Sequence, residues 1–254
     1  MGKYSSQTDT ALLEAKLLDA VRLCARRCQP VFVGFLSEAE AFSAQGILRR
    51  EGFFHSMLWG GFEGAERVMV GVFPDYMEPE SSAFPITAYT VSFRTVDTLT
   101  HRDFLGALLS AGIVRDTVGD LLVEEGRGVL FLRSEISEYV KTQLNKIGRV
   151  GVRVIEGFSE PLPQGLGFQP FQSVIASARL DCATAAALQT SREKAAALVA
   201  GGGVLLNGVQ ILSVSAPVKA GDRLSVRGKG RFILDQVGPE TKKGRLNLSG
   251  RKYR

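Results

Sequence analysis

The stretch from Ser177 to Gly230 constrains this chain most, because helical spacing, glycine turns and strand-like alternation follow one another there at short intervals. Leu180, Ala183, Ala187 and Leu188 recur at helical spacing and predict one buried face. Thr190 or Ser191 is placed to cap a second helix, in which Ala195, Leu198 and Val199 repeat the pattern until Gly201-Gly202-Gly203 stops it. Val204-Leu205-Leu206 then reads as a strand, Asn207-Gly208 as a tight turn, and Val209 to Leu212 as resumed extended chain. Gly221-Asp222 marks another turn, and Arg223 to Arg227 alternates apolar and polar residues as a half-buried strand does. The expectation is a helix pair and hairpin ending in a dense basic tail, with everything upstream serving as scaffold or auxiliary surface.

Charge sharpens that reading. The 254 residues carry a net charge of +5, but the part from Arg179 onward holds 14 Lys and Arg against 5 Asp and Glu, a net +9. The remainder holds 17 against 21, a net −4. A positive field concentrated in one part attracts a polyanion and exchanges its counterions. Gly228, Gly230 and Gly244 lie among these cations, where a missing side chain lets backbone approach a phosphate. The plainer alternative is a solvated basic tail.

Four blocks in this part resemble a known family. Ser177-Ala178-Arg179-Leu180-Asp181, Ser191-Arg192-Glu193-Lys194-Ala195, Gly202 to Gly208, and Val218 to Asp222 are similar in order and spacing to the alpha-L RNA-binding motif. That domain was first known from ribosomal small-subunit protein four. The continuation Ser225 to Phe232 and Gly238 to Arg245 resembles a narrower group, the YlmH proteins, and the likeness extends over essentially the whole chain. Thr100 to Gly106 and Gly112 to Asp120 also look like blocks of that group. One departure is Gly203, where the domain often has a basic or polar residue. The resemblance implies a C-terminal RNA-binding domain behind two smaller ones, and ribosomal RNA of the large subunit and tRNA as ligands. It also implies a role in translation or ribosome-associated quality control, with genes often beside cell-division genes.

The upstream chain predicts an α+β protein. Residues 10–28 form an amphipathic helix with Leu13, Leu17, Val21 and Cys24 on one face. Pro30 to Leu36 reads as a buried strand, Ser37-Glu38-Ala39-Glu40 as a capping box, and the helix it starts stops by Gly52. Phe53 to Trp59 and Arg67 to Phe73 read as two more strands, and Asp75 to Pro85 as a linker. Strands at 86–93, 118–123, 128–133 and 150–155, with helices at 100–111 and 135–147, then give the order βαββαβ of a ferredoxin-like, RRM-like domain. Pro161 to Gly167 reads as a second linker. The expected boundaries are 1–76 for a small α/β domain, 84–158 for the central domain, and 172–254 for the alpha-L domain with its tail. Tyr89, Phe93 and Phe131 lie where an RNA-recognition domain stacks bases, without its signature sequence, and core positions fit them equally.

The candidate site is a set of phosphate-contacting side chains. It comprises Ser177, Arg179, Ser191, Arg192, Lys194, Lys219, Arg227, Lys229, Arg231, Lys242, Lys243, Arg245, Arg251 and Lys252, with Asn207 or nearby backbone adding specificity. Arg102 and Arg115 are a possible second RNA contact. No catalytic residue, metal or cofactor is expected. Cys24 and Cys28 sit one helical turn apart with no second ligand pair at zinc-site spacing, and read as core or surface thiols. Two enzyme readings compete with this one. Arg179-Leu180-Asp181 imitates the catalytic context of pseudouridine synthases, but Asp181 falls where an acidic residue favours a helix start. A methyltransferase needs its glycine turn after a strand, whereas Gly201 to Gly203 follows a helix. A third alternative is an RNA-anchored factor whose acidic N-terminal part meets a protein partner and which is linked to cell division. No run of about 18 apolar residues and no signal-peptide core occur, and three cysteines give no disulfide framework, so the cytoplasm is the expected compartment.

Overall fold

A computed structural model describes residues 3–163, 168–241 and 244–253. The chain is α+β and divides into two compact units, Met1–Gly165 and Leu166–Arg254.

The first unit opens with α1 (Lys3–Arg27), β1 (Val31–Leu36), α2 (Glu38–Arg50), β2 (Ser56–Trp59) and β3 (Val68–Val72). The capping box forms as its sequence predicts: Ser37 N–H donates to Glu40 at 2.7 Å, and Glu40 N–H donates back to Ser37 Oγ at 3.4 Å. The strands pair antiparallel in the order β1-β3-β2. Leu13, Leu17, Ala20 and Cys24 of α1 pack with Ala44, Ile47 and Leu48 of α2 over Val70 and Val72 of β3. The strand expected from Phe53 begins only at Ser56, because Phe53 N–H still closes the end of α2 on Leu48 O.

The same unit continues with β4 (Ile86–Ser92), α3 (His101–Ser110), β5 (Val118–Glu124), β6 (Arg127–Arg133), α4 (Ser134–Gln143), β7 (Lys146–Ile147), β8 (Val150–Gly151) and β9 (Arg153–Glu156). Four of these strands form an antiparallel sheet in the order β5-β6-β4-β9. Both helices lie on one face of it, burying Phe104, Leu108 and Val140 against Tyr89, Val91, Leu130 and Leu132. Thr100 caps α3 together with Asp103, which accepts from Thr100 N–H at 2.8 Å and from its hydroxyl at 2.6 Å. The helix expected to reach Ile147 ends at Gln143. The chain turns there into the small β7–β8 hairpin, where Gly148 takes φ 58°. The single strand expected over 150–155 is correspondingly split.

The second unit holds β10 (Phe168–Ile175), α5 (Leu180–Leu188), α6 (Arg192–Ala200), β11 (Val204–Leu206), β12 (Val209–Gln210), β13 (Arg223–Val226), β14 (Gly230–Glu240) and β15 (Leu246–Tyr253). The helix pair and the Asn207-Gly208 turn, with φ 50° and 77°, form where the sequence places them. The strand expected to run to Leu212 stops at Gln210. The basic tail is a correction: Gly230 onward builds the long β14–β15 hairpin, and β10 adds to its far side. The result is a six-stranded antiparallel sheet in the order β10-β15-β14-β13-β11-β12. Its inner face, with Leu224, Val226, Phe232, Leu234 and Leu248, packs on Leu180, Ala183 and Ala187 of α5 and Val199 of α6. Charged residues interspersed along these strands hid the hairpin, since Phe232, Leu234 and Leu248 face the core while their neighbours face solvent.

Candidate nucleic-acid interface

The helix pair positions three cations of the second unit, Arg179, Arg192 and Lys194. Asp181, in the first turn of α5, is 2% exposed and receives two guanidinium groups. Arg179 Nε lies 3.2 Å from one carboxylate oxygen, and Arg192 Nε, from the start of α6, lies 2.7 Å from the other. Burial acts to raise the Asp181 pKa, but hydrogen bonds and charge from Arg192 and Arg179 outweigh it and hold the carboxyl below its usual range. The same bond raises Arg192. Asp181 is thus an anchor for two arginines, which agrees with a helix-start role for it. Arg192 remains exposed, Ser191 caps α6 by accepting from Lys194 N–H at 3.3 Å, and Lys194 is exposed. A guanidinium fork kept in place in this way loses less entropy on meeting a phosphate than a free chain end does.

The remaining expected residues sort by what their side chains already do. Ser177 Oγ sits 3.7 Å from Cys182 Sγ. Lys219, Arg227 and Lys229 are exposed on turns, and Arg245 is exposed at the start of the return strand. Arg231 lies over the Tyr253 ring at 4.6 Å, and Lys252 over the Phe232 ring at 5.7 Å. Arg251 is held by Asp235, with Nε 2.9 and 3.0 Å from its two carboxylate oxygens. Lys242 and Lys243 lie outside the described residues.

Two of the expected contact residues also make bonds within the fold. The Asn207 amide bonds within the fold: its Nδ2 donates to Asp222 at 3.0 Å and its Oδ1 accepts from Arg223 N–H at 2.9 Å. Asp222, 4% exposed, also accepts from Lys219 N–H at 2.8 Å, so Asn207 locks a turn. Arg115, half-buried, donates through Nη1 to Val118 O at 2.6 Å and Gly119 O at 3.3 Å. Burial pushes its pKa down to about 10, and the neighbouring Arg67 adds to that fall. Arg102 stays exposed on the first turn of α3, beside Asp103.

Arg115 belongs to a polar cluster that the sequence alone did not indicate. Arg67 donates to Phe35 O at 2.6 Å, Val118 O at 3.0 Å and Arg115 O at 3.1 Å. Asp120 accepts from the backbone N–H groups of Glu66 and Arg67 at 2.7 and 3.1 Å. Burial raises the Asp120 pKa and lowers that of Arg67. The cluster joins the β1-β3-β2 sheet to the four-stranded one inside the first unit. No periodicity signals it, because its acceptors are largely backbone carbonyls.

That junction settles the fate of the aromatics. Tyr89 is fully buried on the helix-covered face, and Phe131 on the opposite face is 1% exposed. Phe62 stacks on Phe131 at 4.7 Å between ring centroids and Phe158 edges it at 5.6 Å. A Cβ at Gly119 would stand 2.6 Å from the Phe35 ring, so the covering layer has no room for even a methyl group there. The face on which an RNA-recognition domain stacks bases is therefore occupied by the protein itself.

The same geometry bears on other chemistry. Among the described residues no group of three or more His, Cys, Asp and Glu is arranged to hold a metal ion. Cys24 is buried, with its thiol pKa raised by burial, and Cys28 is exposed. Among the described residues no helix is long and apolar enough to cross a membrane.

Known proteins are similar to this chain. A family model described as "Putative RNA-binding domain in YlmH" matches residues 79–159, the segment of the four-stranded sheet. "Ribosome-associated protein quality control protein P2" of Bacillus subtilis (strain 168) is 32% identical over 195 residues, covering 75% of this chain and 75% of that protein. The solved structure "Cell division protein ylmH from Streptococcus pneumoniae" matches with a TM-score of 0.53 at 22% identity, covering 59% of this chain and 92% of that one, a likeness of fold. With the C-terminal blocks, the family model and this relative in agreement, the chain belongs to the YlmH family.

Proposed function

We propose that this protein is a non-enzymatic RNA-binding factor that acts on the ribosome. It grips ribosomal RNA of the large subunit and tRNA through an alpha-L domain, behind a small α/β domain and a ferredoxin-like, RRM-like one. The observation that carries this reading is the arginine pair on Asp181: two guanidinium groups fixed on one buried carboxylate, with Arg192 exposed beside Lys194. Such an arrangement suits phosphate oxygens, which position an RNA without reading its sequence. Arg179, Lys194, Lys219, Arg227, Lys229 and Arg245 extend it, and specificity comes from RNA shape, such as a helix junction. Arg102 remains the candidate for a second contact, through the exposed start of α3 and not through the covered sheet face. The name of the Bacillus subtilis relative, a ribosome-associated quality-control protein, supports placing the activity on the ribosome. The mechanism is selective binding: the factor stabilises one tRNA position or subunit state by its differential affinity.

Co-sedimentation with separated ribosomal subunits, beside free tRNA and across a salt series, tests this. Salt-sensitive binding to the large subunit, weakened in Arg192→Ala, is expected. Absence of binding to either RNA at low salt sinks the proposal, and chemical modification of isolated RNA would replace it with an enzyme.

A further inference from the structure

We infer that the outer face of the six-stranded sheet in the second unit is a separate RNA surface, which takes an unpaired segment of the strand. The inference rests on the RNA-binding reading above but uses the side of the sheet away from the helix pair. Side chains alternate along each strand, and Leu224, Val226, Phe232, Leu234 and Leu248 all point into the core beneath α5 and α6. The residues between them therefore share the outer face. Register brings these together in two cross-strand rows. One row runs Arg223, Ile233, Arg251, since Arg223 pairs with Ile233 and Ile233 with Arg251. The next runs Ser225, Arg231, Tyr253, since Ser225 pairs with Arg231 and Arg231 lies 4.6 Å over the Tyr253 ring. The rows are two residues apart along a strand, roughly 7 Å.

The composition of this face is what an unpaired polyanion requires. An antiparallel sheet is often solvated on one face, and mixed charges would then serve for solubility. In these rows three arginines gather, one of which, Arg251, is held by Asp235. The Tyr253 ring, half-buried, and the exposed Arg231 guanidinium are planar groups in contact on this face. Planar side chains of this kind stack unpaired bases, which a duplex keeps stacked within itself. Ser225 adds a hydroxyl beside them. At the helix pair the guanidinium groups of Arg179 and Arg192 are held by the Asp181 carboxylate, an arrangement that presents charge and not a stacking platform. The two faces thus match two parts of one ligand: paired, phosphate-presenting RNA at the helices, and an unpaired flank across the sheet.

The experiment uses the full chain and two probes, a blunt RNA hairpin and the same hairpin carrying a short unpaired extension. Wild-type protein is expected to bind the extended probe about tenfold more tightly, the gain of stacking roughly one base. The combined variant Arg223→Ala, Tyr253→Ala is expected to erase that gain and leave the blunt hairpin unchanged. Arg192→Ala with Lys194→Ala is expected to weaken both probes alike. Tyr253→Phe, which keeps the ring, should retain the gain, and Arg231→Lys, which keeps the charge without the plane, should reduce it. Equal binding of the two probes by wild type overturns the inference while leaving the helix-pair reading intact. So does a sheet-face variant that weakens both probes equally. Failure of wild type to bind either probe overturns both readings.

Discussion

Asp181 serves fold and site together. Its carboxylate would be costly to bury alone, yet two guanidinium groups keep it ionised, and it in turn fixes both of them. The lowered pKa makes a pH prediction with a definite sign. A carboxyl whose folded pKa lies below its unfolded value contributes stability that is fully present above the ordinary value of about 3.9. That contribution is lost as the pH falls through the lowered folded value. Asp181→Asn is therefore expected to be less stable than wild type at neutral pH, with the difference shrinking toward strong acid. Denaturant midpoints measured across the acid range check this, and a constant difference at every pH would refute it. Arg179 and Arg192 were legible in the sequence as cations beside helix starts. Their shared anchor was not, because the Arg192 bond spans eleven positions and two helices.

At the scale of elements, the order of the four-stranded sheet gave no hint of its cover. The βαββαβ pattern could be read from periodicity, and so could the two helices on one face. Nothing in the alternation of β6 says that Phe131 would meet Phe62, far earlier in the chain. Phe131→Ala is expected to destabilise the protein by about 3–5 kcal/mol, as removal of a large buried ring does. RNA affinity of the molecules that remain folded should stay the same. Urea unfolding and RNA titration below the transition separate the two effects, and reduced affinity with unchanged stability would restore base stacking to this ring. The β14–β15 hairpin differs in the opposite sense. Its charges were legible as a basic segment, but strand pairing turns them into two distinct faces.

At the scale of the whole molecule, charge governs association more than any single side chain does. The cations from Arg179 onward oppose a net −4 in the rest of the chain, so binding should fall steeply with salt. Replacing Lys242, Lys243 and Arg245 by Ala together is expected to flatten the logarithmic salt slope by about one for each phosphate these side chains neutralise. An unchanged slope would remove those residues from the interface. The long amphipathic α1, the capped α2 and the βαββαβ succession were all readable because each depends on neighbours within a few turns or strands. The Arg67–Asp120–Arg115 cluster was not, since it uses backbone groups supplied by distant segments.

By itself the sequence determined the α+β class, the helix pair with its turn, and the concentration of positive charge in the C-terminal part, because propensity, capping and composition act locally. Only the tertiary structure decided that Asn207 and Arg115 bond to other groups of the fold, that Phe131 is covered, and that the expected basic tail is a paired hairpin with two distinct faces. Those outcomes depend on which distant groups meet and exclude water, and no single segment carries that information alone.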